Sequence, residues 1–216
     1  VTYLQGTLAA RPAAGISGRF YFATDAAVTF YDTGAAWIFV SGVQFVTNLP
    51  ASPVDGQEVY YLADSANGVV WHLRYRNPPG SPNPNAHKWE FLGGGALNFE
   101  SPSVWTATGN GAYQTDPNVS PLTVPLPGWY TVDFGATVAH SAAGIQVNTR
   151  VISNPGAIAS FESWGANTQT YYMPVTRRVT LGPLVTGGTL VVQHLSPSGT
   201  ITSYRRYVAA QPLRVG

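Results

Sequence analysis

The sequence contains no cysteine, one lysine (Lys88) and one methionine (Met173). Without cysteine there is no disulfide and no thiolate metal ligand, and redox chemistry does not identify the compartment. Charge is scarce too. Only 10% of residues are Asp, Glu, Lys or Arg, against ~25% in an ordinary soluble domain. The 11 basic and 10 acidic residues are scattered and leave a net charge of +1. No basic tract is present, so nucleic acid is not an expected partner. No apolar run approaches the ~18–20 residues of a spanning helix, so membrane insertion is not expected. The first residues show neither the charged stretch nor the apolar run of a secretory leader. Val1 is the kind of small residue left when an initiator Met is removed. A chain cut at that point would look the same.

Helical periodicity is also missing. Candidate i, i+3, i+4 spacings are broken every few positions by Gly, Pro or β-branched residues. What the chain has instead is 23 Gly, 17 Pro and 12% aromatic residues over 216 positions. That is a composition of short strands and many turns, with length enough for one large β domain or two small ones. The expected class is all-β, with small N-terminal β-hairpin modules followed by a C-terminal jelly-roll β-sandwich.

One segment occurs twice. Arg11–Asp25 and Leu49–Asp64 each run from a Pro-rich approach through a turning Gly into an aromatic strand and a closing Asp. Each is followed by a Trp-x-Phe strand, Trp37-Ile38-Phe39 and Trp89-Glu90-Phe91. The predicted strands are Gly18–Ala23, Val28–Tyr31 and Trp37–Val40, then Glu58–Leu62, Val69–Arg76 and Trp89–Leu92. Gly93-Gly94-Gly95 reads as a hinge, which divides the chain into a duplicated attachment or stalk region, 1–95, and a sandwich head, 96–216. From Ala96 onward roughly eight strands are expected, separated by Gly and Pro turns. Tyr130, Val132, Phe134, Ala136 and Val138 alternate as one inward row. Gln146, Asn148 and Arg150 alternate outward, toward solvent or a hydrogen-bonding seam in an oligomer.

Catalytic chemistry has little to stand on. The acidic residues form no pair in sequence, although Asp133 and Glu162 lie on strands that can meet, as a two-carboxylate glycosidase would require. Asp133 alternates with the apolar row and is expected to face outward. No catalytic residue is assigned, and the chain is not read as an enzyme. His72, His87, His140 and His194 are isolated from other ligands, so neither metal nor cofactor is expected. Gly93-Gly94-Gly95 lacks the Lys-Ser/Thr of a phosphate loop.

Two clusters remain. Trp164-Gly165-Ala166-Asn167 joins two predicted strands, and Tyr171-Tyr172 follows. Sugars stack on such rings while amides bond their hydroxyls, so Trp164, Asn167, Tyr171 and Tyr172 are candidate ligand residues. The competing reading is that Trp164 plugs the end of the sandwich and one tyrosine faces the core. Adjacent arginines in Arg177-Arg178 and Tyr204-Arg205-Arg206-Tyr207 point to opposite faces, one inward or toward a subunit contact. Arg178, Tyr204, Arg205, Arg206 and Tyr207 are therefore candidates for an oligomer interface, or for a plain sandwich rim.

The segment Arg11–Asp25 with Tyr31–Trp37 resembles one found in virion proteins of tailed bacteriophages, in fibres, minor tail proteins and head appendages. Leu49–Tyr75 with Trp89-Glu90-Phe91 resembles a second segment of the same class. Pro127-Gly128-Trp129-Tyr130-Thr131-Val132-Asp133-Phe134 and the final strand Ser203–Ala209 resemble the trimeric jelly-roll heads of the C1q and tumour-necrosis-factor type. The resemblance implies a homotrimeric appendage on the virion surface, made in the bacterial cytoplasm. The arm Val1–Gly18 and the hairpin modules would dock on other virion proteins of the capsid or tail. The head would touch a host-surface receptor or glycan. The alternative is a capsid decoration or head fibre without receptor binding.

Overall fold

The computed structural model describes residues 1–25, 28–78, 80, 84–117, 120–142, 144–154, 161–165 and 173–216, with the side chains of 41, 161–165 and 173–175 outside the description. The described elements are all strands apart from one 3-10 turn at Leu8–Ala10, and the fold is all-β. The chain divides into two compact units, Val1–Gly95 and Ala96–Gly216.

Unit 1 builds one arrangement twice. In the first module β1 (Thr2–Gly6) runs parallel to β2 (Arg19–Ala23), which pairs antiparallel with β3 (Val28–Asp32) and through it with β4 (Trp37–Ser41). In the second, β5 (Gln44–Val46) runs parallel to β6 (Glu58–Asp64), followed antiparallel by β7 (Val69–Tyr75) and β8 (Trp89–Gly94). The sequence reading found β2–β4 and β6–β8 and missed β1 and β5. Parallel neighbours need a long crossover and carry no turn signature between them. The Pro-rich approaches are those crossovers. Thr2–Gly6 of the N-terminal arm is thus a strand of the first sheet.

The ladders also correct the alignment of the two copies. Tyr3, Phe20 and Tyr31 stack across β1–β3 with ring centroids 5.5 and 5.1 Å apart. Phe45, Tyr60 and His72 repeat this across β5–β7 at 4.9 and 4.8 Å. Phe20 therefore matches Tyr60, one residue out of step with the Asp25–Asp64 alignment. A bulge between Leu62 and Asp64 separates the two registers. The two aspartates also do different jobs. Asp25 accepts from the distant Leu8 N–H at 2.8 Å, whereas Asp64 caps its own turn through Ala66 and Asn67.

The glycine tract is not a loose hinge at its start. Gly93 and Gly94 end β8, and Gly94 has φ +129. A Cβ there would sit 2.2 Å from the Val70 carbonyl oxygen, so only glycine fits this approach. The Gly95 carbonyl accepts from Trp71 Nε1 at 2.9 Å.

The first module is held by Asp32, whose side chain is 0% exposed. Its carboxylate pairs with the Arg19 guanidinium and accepts from the N–H groups of Gly15, Ile16 and Gly34. Burial alone would raise this carboxyl. The Arg19 bond and the Gly34, Ile16 and Gly15 donors outweigh it and hold the pKa at about 2, below the ordinary 3.8. Tyr21, Ala23 and Val28 form the buried centre, with Leu4, Leu8, Phe30, Trp37 and Phe39 packed around it.

Unit 2 contains β9 (Leu97–Ser101), β10 (Trp105–Thr108), β11 (Gln114–Thr115), β12 (Leu122–Thr123) and β13 (Gly128–His140). These are followed by β14 (Val147–Asn154), β15 (Phe161–Gly165), β16 (Met173–Leu184), β17 (Thr189–Leu195) and β18 (Thr200–Val215). One sheet runs β16–β13–β18 with β9 and β10 on the far side of β18. The other runs β15–β14–β17 with β11 and β12 on the far side of β17. The pairs nest: the earliest strands lie on β18, the next on β17, β13 on β16 and β14 on β15. A long antiparallel hairpin wound up in this way is a jelly roll. The expected inward row, Tyr130 to Val138 in alternation, is at most 2% exposed. Ala136, Val138, Val147 and Ile201 join the two sheets in one core cluster.

Candidate binding site

The site grows out of an irregularity in β18. Gly135 faces Tyr207 and Thr137 faces Tyr204, so Arg205 and Arg206 together oppose the single residue Ala136. This is a β-bulge, and its first position takes a left-handed backbone that favours glycine. Here that position is Arg205, at φ +48 the one non-glycine residue with positive φ among the described residues. The bulge resets the alternation. Tyr204 and Tyr207 both lie on the half-exposed face, Arg205 points out, and Arg206 points in.

Arg206 is 1% exposed, and both of its terminal nitrogens are bonded within its own unit. It pairs with the buried Asp116 carboxylate and donates to the carbonyls of Ser103 and Ser203 at 2.8 and 3.0 Å. Further bonds reach the Ser101 and Ser103 hydroxyls at 3.2 and 3.3 Å. Burial lowers its pKa and Asp116 pulls it back. Expected from sequence at an oligomer interface, Arg206 is instead an internal clamp, because an enclosed guanidinium cannot reach a second chain.

Arg205 is exposed, with its guanidinium 5.6 Å from the Tyr204 ring. Together with Val104 and Thr137 these two residues line an open cleft of about 420 Å³. Val104 is 59% exposed, giving the cleft an apolar wall beside its cation. Such a surface offers a forked donor for an anion, a hydroxyl and an apolar patch for a ring face.

A second cleft, about 190 Å³, lies on the same sheet beside Thr131, Asp133, Arg178 and Gln211. Asp133 faces outward as expected. Arg178 holds it in a two-pronged pair, Nε to Oδ1 at 2.7 Å and Nη2 to Oδ2 at 2.8 Å. Burial raises the Tyr207 phenol, and the Asp133 charge adds to the shift.

His140 and His194 are structural. His140 bonds the Ser198 carbonyl at 2.7 Å. His194 is fully buried against Thr149 Oγ1 at 2.9 Å, and burial, aided by the Arg206 cation, lowers its pKa to about 3. Among the described residues no three His, Cys, Asp or Glu side chains gather as a metal ion requires. His72 bonds Glu58 at 2.8 Å on the outer face of the second module.

Asn167, Tyr171 and Tyr172 lie outside the described residues. Trp164, in β15, pairs through its backbone with Asn148 of β14, and its side chain is not described. Sequence reasoning missed Asp116, Val104 and Thr137. Nothing local marks them, since the residues each one meets are distant in sequence.

No family model matches the chain, and no curated protein matches it. Among solved structures it is similar to the globular domain of zebrafish complement 1qA protein, at 12% identity and TM-score 0.38, covering 56% of this chain and 99% of that one. It is likewise similar to Eiger TNF from S. frugiperda, at 10% identity and TM-score 0.38, covering 56% and 95%. A third likeness is to the C-terminal CBM6 of LamC, a marine laminarinase from Zobellia galactanivorans, at 15% identity and TM-score 0.29, covering 52% and 98%. The jelly-roll assignment rests on the nested strand pairs and not on these likenesses.

Proposed function

We propose that this chain is a structural protein of a tailed-phage virion, a homotrimeric surface appendage whose unit 2 is a binding head for a host-surface glycan. The observation that carries the head's role is Arg205. An arginine in a left-handed bulge position costs of the order of 1–2 kcal/mol relative to glycine. It lies on an open surface beside Tyr204 and Val104, and among the described residues it makes no ion pair that would stabilise the fold. A strained cation facing solvent is accounted for by a ligand. The chemistry of the cleft suits a sugar bearing an acidic group, with the guanidinium on the anion and the ring against Val104. Many shallow contacts of this kind gain strength across copies. The duplicated module supports the virion part of the reading through its resemblance to phage segments.

Arg205→Gly is the direct test, because glycine keeps the bulge and relieves its strain. The variant should be as stable as the parent or slightly more so, while binding to host cells falls at least tenfold. Unchanged binding removes Arg205 from the head's function. If the variant loses oligomeric state instead, Tyr204 and Arg205 return to the copy-to-copy contact expected from sequence. Imaging of the particle addresses the alternative. Density on the capsid in a protein with no affinity for host cells makes it a decoration or head fibre.

A further inference from the structure

The first module of unit 1 has an outer face that a free antiparallel sheet does not ordinarily carry. Its inner residues are Leu4, Tyr21, Val28, Phe30 and Phe39, which form or pack on the core. Alternation then places Tyr3, Phe20, Tyr31 and Ile38 on the other side, in one row across all four strands. A second row holds Gln5, Phe22 and Thr29, with Val40 at the bulge beside Thr29. Neither row contains a charge. Tyr3 is 78% exposed, Val40 47%, Phe22 42% and Ile38 41%. Sheets with one open face normally alternate apolar-in and polar-out. This one is apolar on both sides.

The second module supplies the control. Its outer face repeats the aromatic row as Phe45, Tyr60 and His72 and continues on one side as Leu62 and Val70, but the row on the other side is Glu58, Arg74 and Glu90. Those charges pair among themselves, His72 with Glu58 at 2.8 Å and Arg74 with Glu90 at 3.2 Å. The same scaffold therefore carries a solvated face in one copy and an uncharged face in the other.

We infer that the outer face of β1–β4 is where copies of this chain meet. The exposed side chains amount to on the order of 500 Å² per copy, at the upper end of the largest apolar patch a monomer ordinarily shows (~300–600 Å²). Three such faces meeting on the axis of the proposed trimer bury about 1,500 Å² together, above the ~1,000 Å² that a specific interface needs. An uncharged face meets its own copy without like-charge repulsion, whereas it gives a charged partner nothing to pair with. The inference rests on the proposed self-assembly and assigns it a surface.

The test is the mass of the full-length protein in solution, by sedimentation, for the parent and for Tyr3→Glu with Ile38→Lys. Both residues are exposed, so the fold should persist, and circular dichroism checks that it does. The parent should be an oligomer, and the double variant should dissociate with an apparent Kd raised at least a hundredfold. Phe45→Glu, at the equivalent place in the second module, should leave assembly unchanged. A parent that stays monomeric overturns both self-assembly and this interface, leaving the head's ligand site standing. An oligomer that survives the double variant, or one broken equally by Phe45→Glu, overturns this interface alone.

Discussion

Among the described residues each unit encloses one arginine–carboxylate pair, and the two are built in opposite senses. In unit 1 the hub is the carboxylate: Asp32 gathers the N–H groups of Gly15, Ile16 and Gly34 as well as Arg19. In unit 2 the hub is the cation: Arg206 gathers the Ser103 and Ser203 carbonyls and three serine hydroxyls as well as Asp116. The difference follows from what the backbone leaves unpaired. The crossover into β2 presents donors that have no ladder partner, so it needs an acceptor. The stretch after β9 and the bulge in β18 present carbonyls, so they need a donor. Buried backbone groups are paired in one way or another. A chain with few charges has placed two of each sign where backbone pairing fails.

The largest effect should come from breaking the hub of unit 2. Arg206→Met leaves the Asp116 carboxylate buried without its cation, which costs about 3–5 kcal/mol. Hydrogen exchange resolved along the chain should show the loss in Ala96–Gly216. Adding Asp116→Leu should recover much of it, since an apolar pair carries no stranded charge. If the double variant is no better than the single one, the serine bonds matter more than the ion pair.

Asp32→Asn should have a smaller and more local effect. The amide keeps one acceptor oxygen but loses the charge that attracts Arg19 and strengthens the backbone bonds. Protection of the β1–β4 amides should fall roughly a hundredfold while unit 2 keeps its own. Equal loss in both units would mean that they do not open separately.

Much of this comparison was legible beforehand, and the rest was hidden for physical reasons. The inward row of β13 and all of β17 followed from period-2 alternation, which tertiary context did not override. The split of the Arg205–Arg206 pair to opposite faces was also foreseen. Which of the two turned inward was not, because the bulge that decides it is a register event between β13 and β18. Parallel strands β1 and β5 were missed because nothing beside them in sequence marks a parallel neighbour. The aromatic row was likewise invisible. Tyr3, Phe20 and Tyr31 carry no local spacing signal and align only once the ladders are known. Asp32 fell just past the predicted strand Val28–Tyr31 and carried no signal, since its donors come from a loop that the sequence had described as a mere approach.

Acid should separate the units most gently of all. His194 in unit 2 is held neutral, with a folded pKa of about 3 against 6.5 when free. The unfolded chain therefore binds the extra proton first, and stability is complete above pH 6.5 and declines as pH falls toward 3. The slope cannot exceed about 1.4 kcal/mol per pH unit for one group. Asp32 in unit 1 has a folded pKa of about 2 against 3.8. Its contribution is complete above pH 3.8 and is lost only as pH falls through 2. Between pH 6 and 4, then, unit 2 should weaken while Asp32 keeps its contribution to unit 1. Hydrogen exchange corrected for the intrinsic pH dependence can follow both units in one experiment. His194→Gln keeps a partner for Thr149 but removes the titration, so it should flatten the response of unit 2 in this window. A slope that persists in that variant would place the acid sensitivity elsewhere in the sandwich. Earlier loss in unit 1 would reverse the order that the two hubs predict.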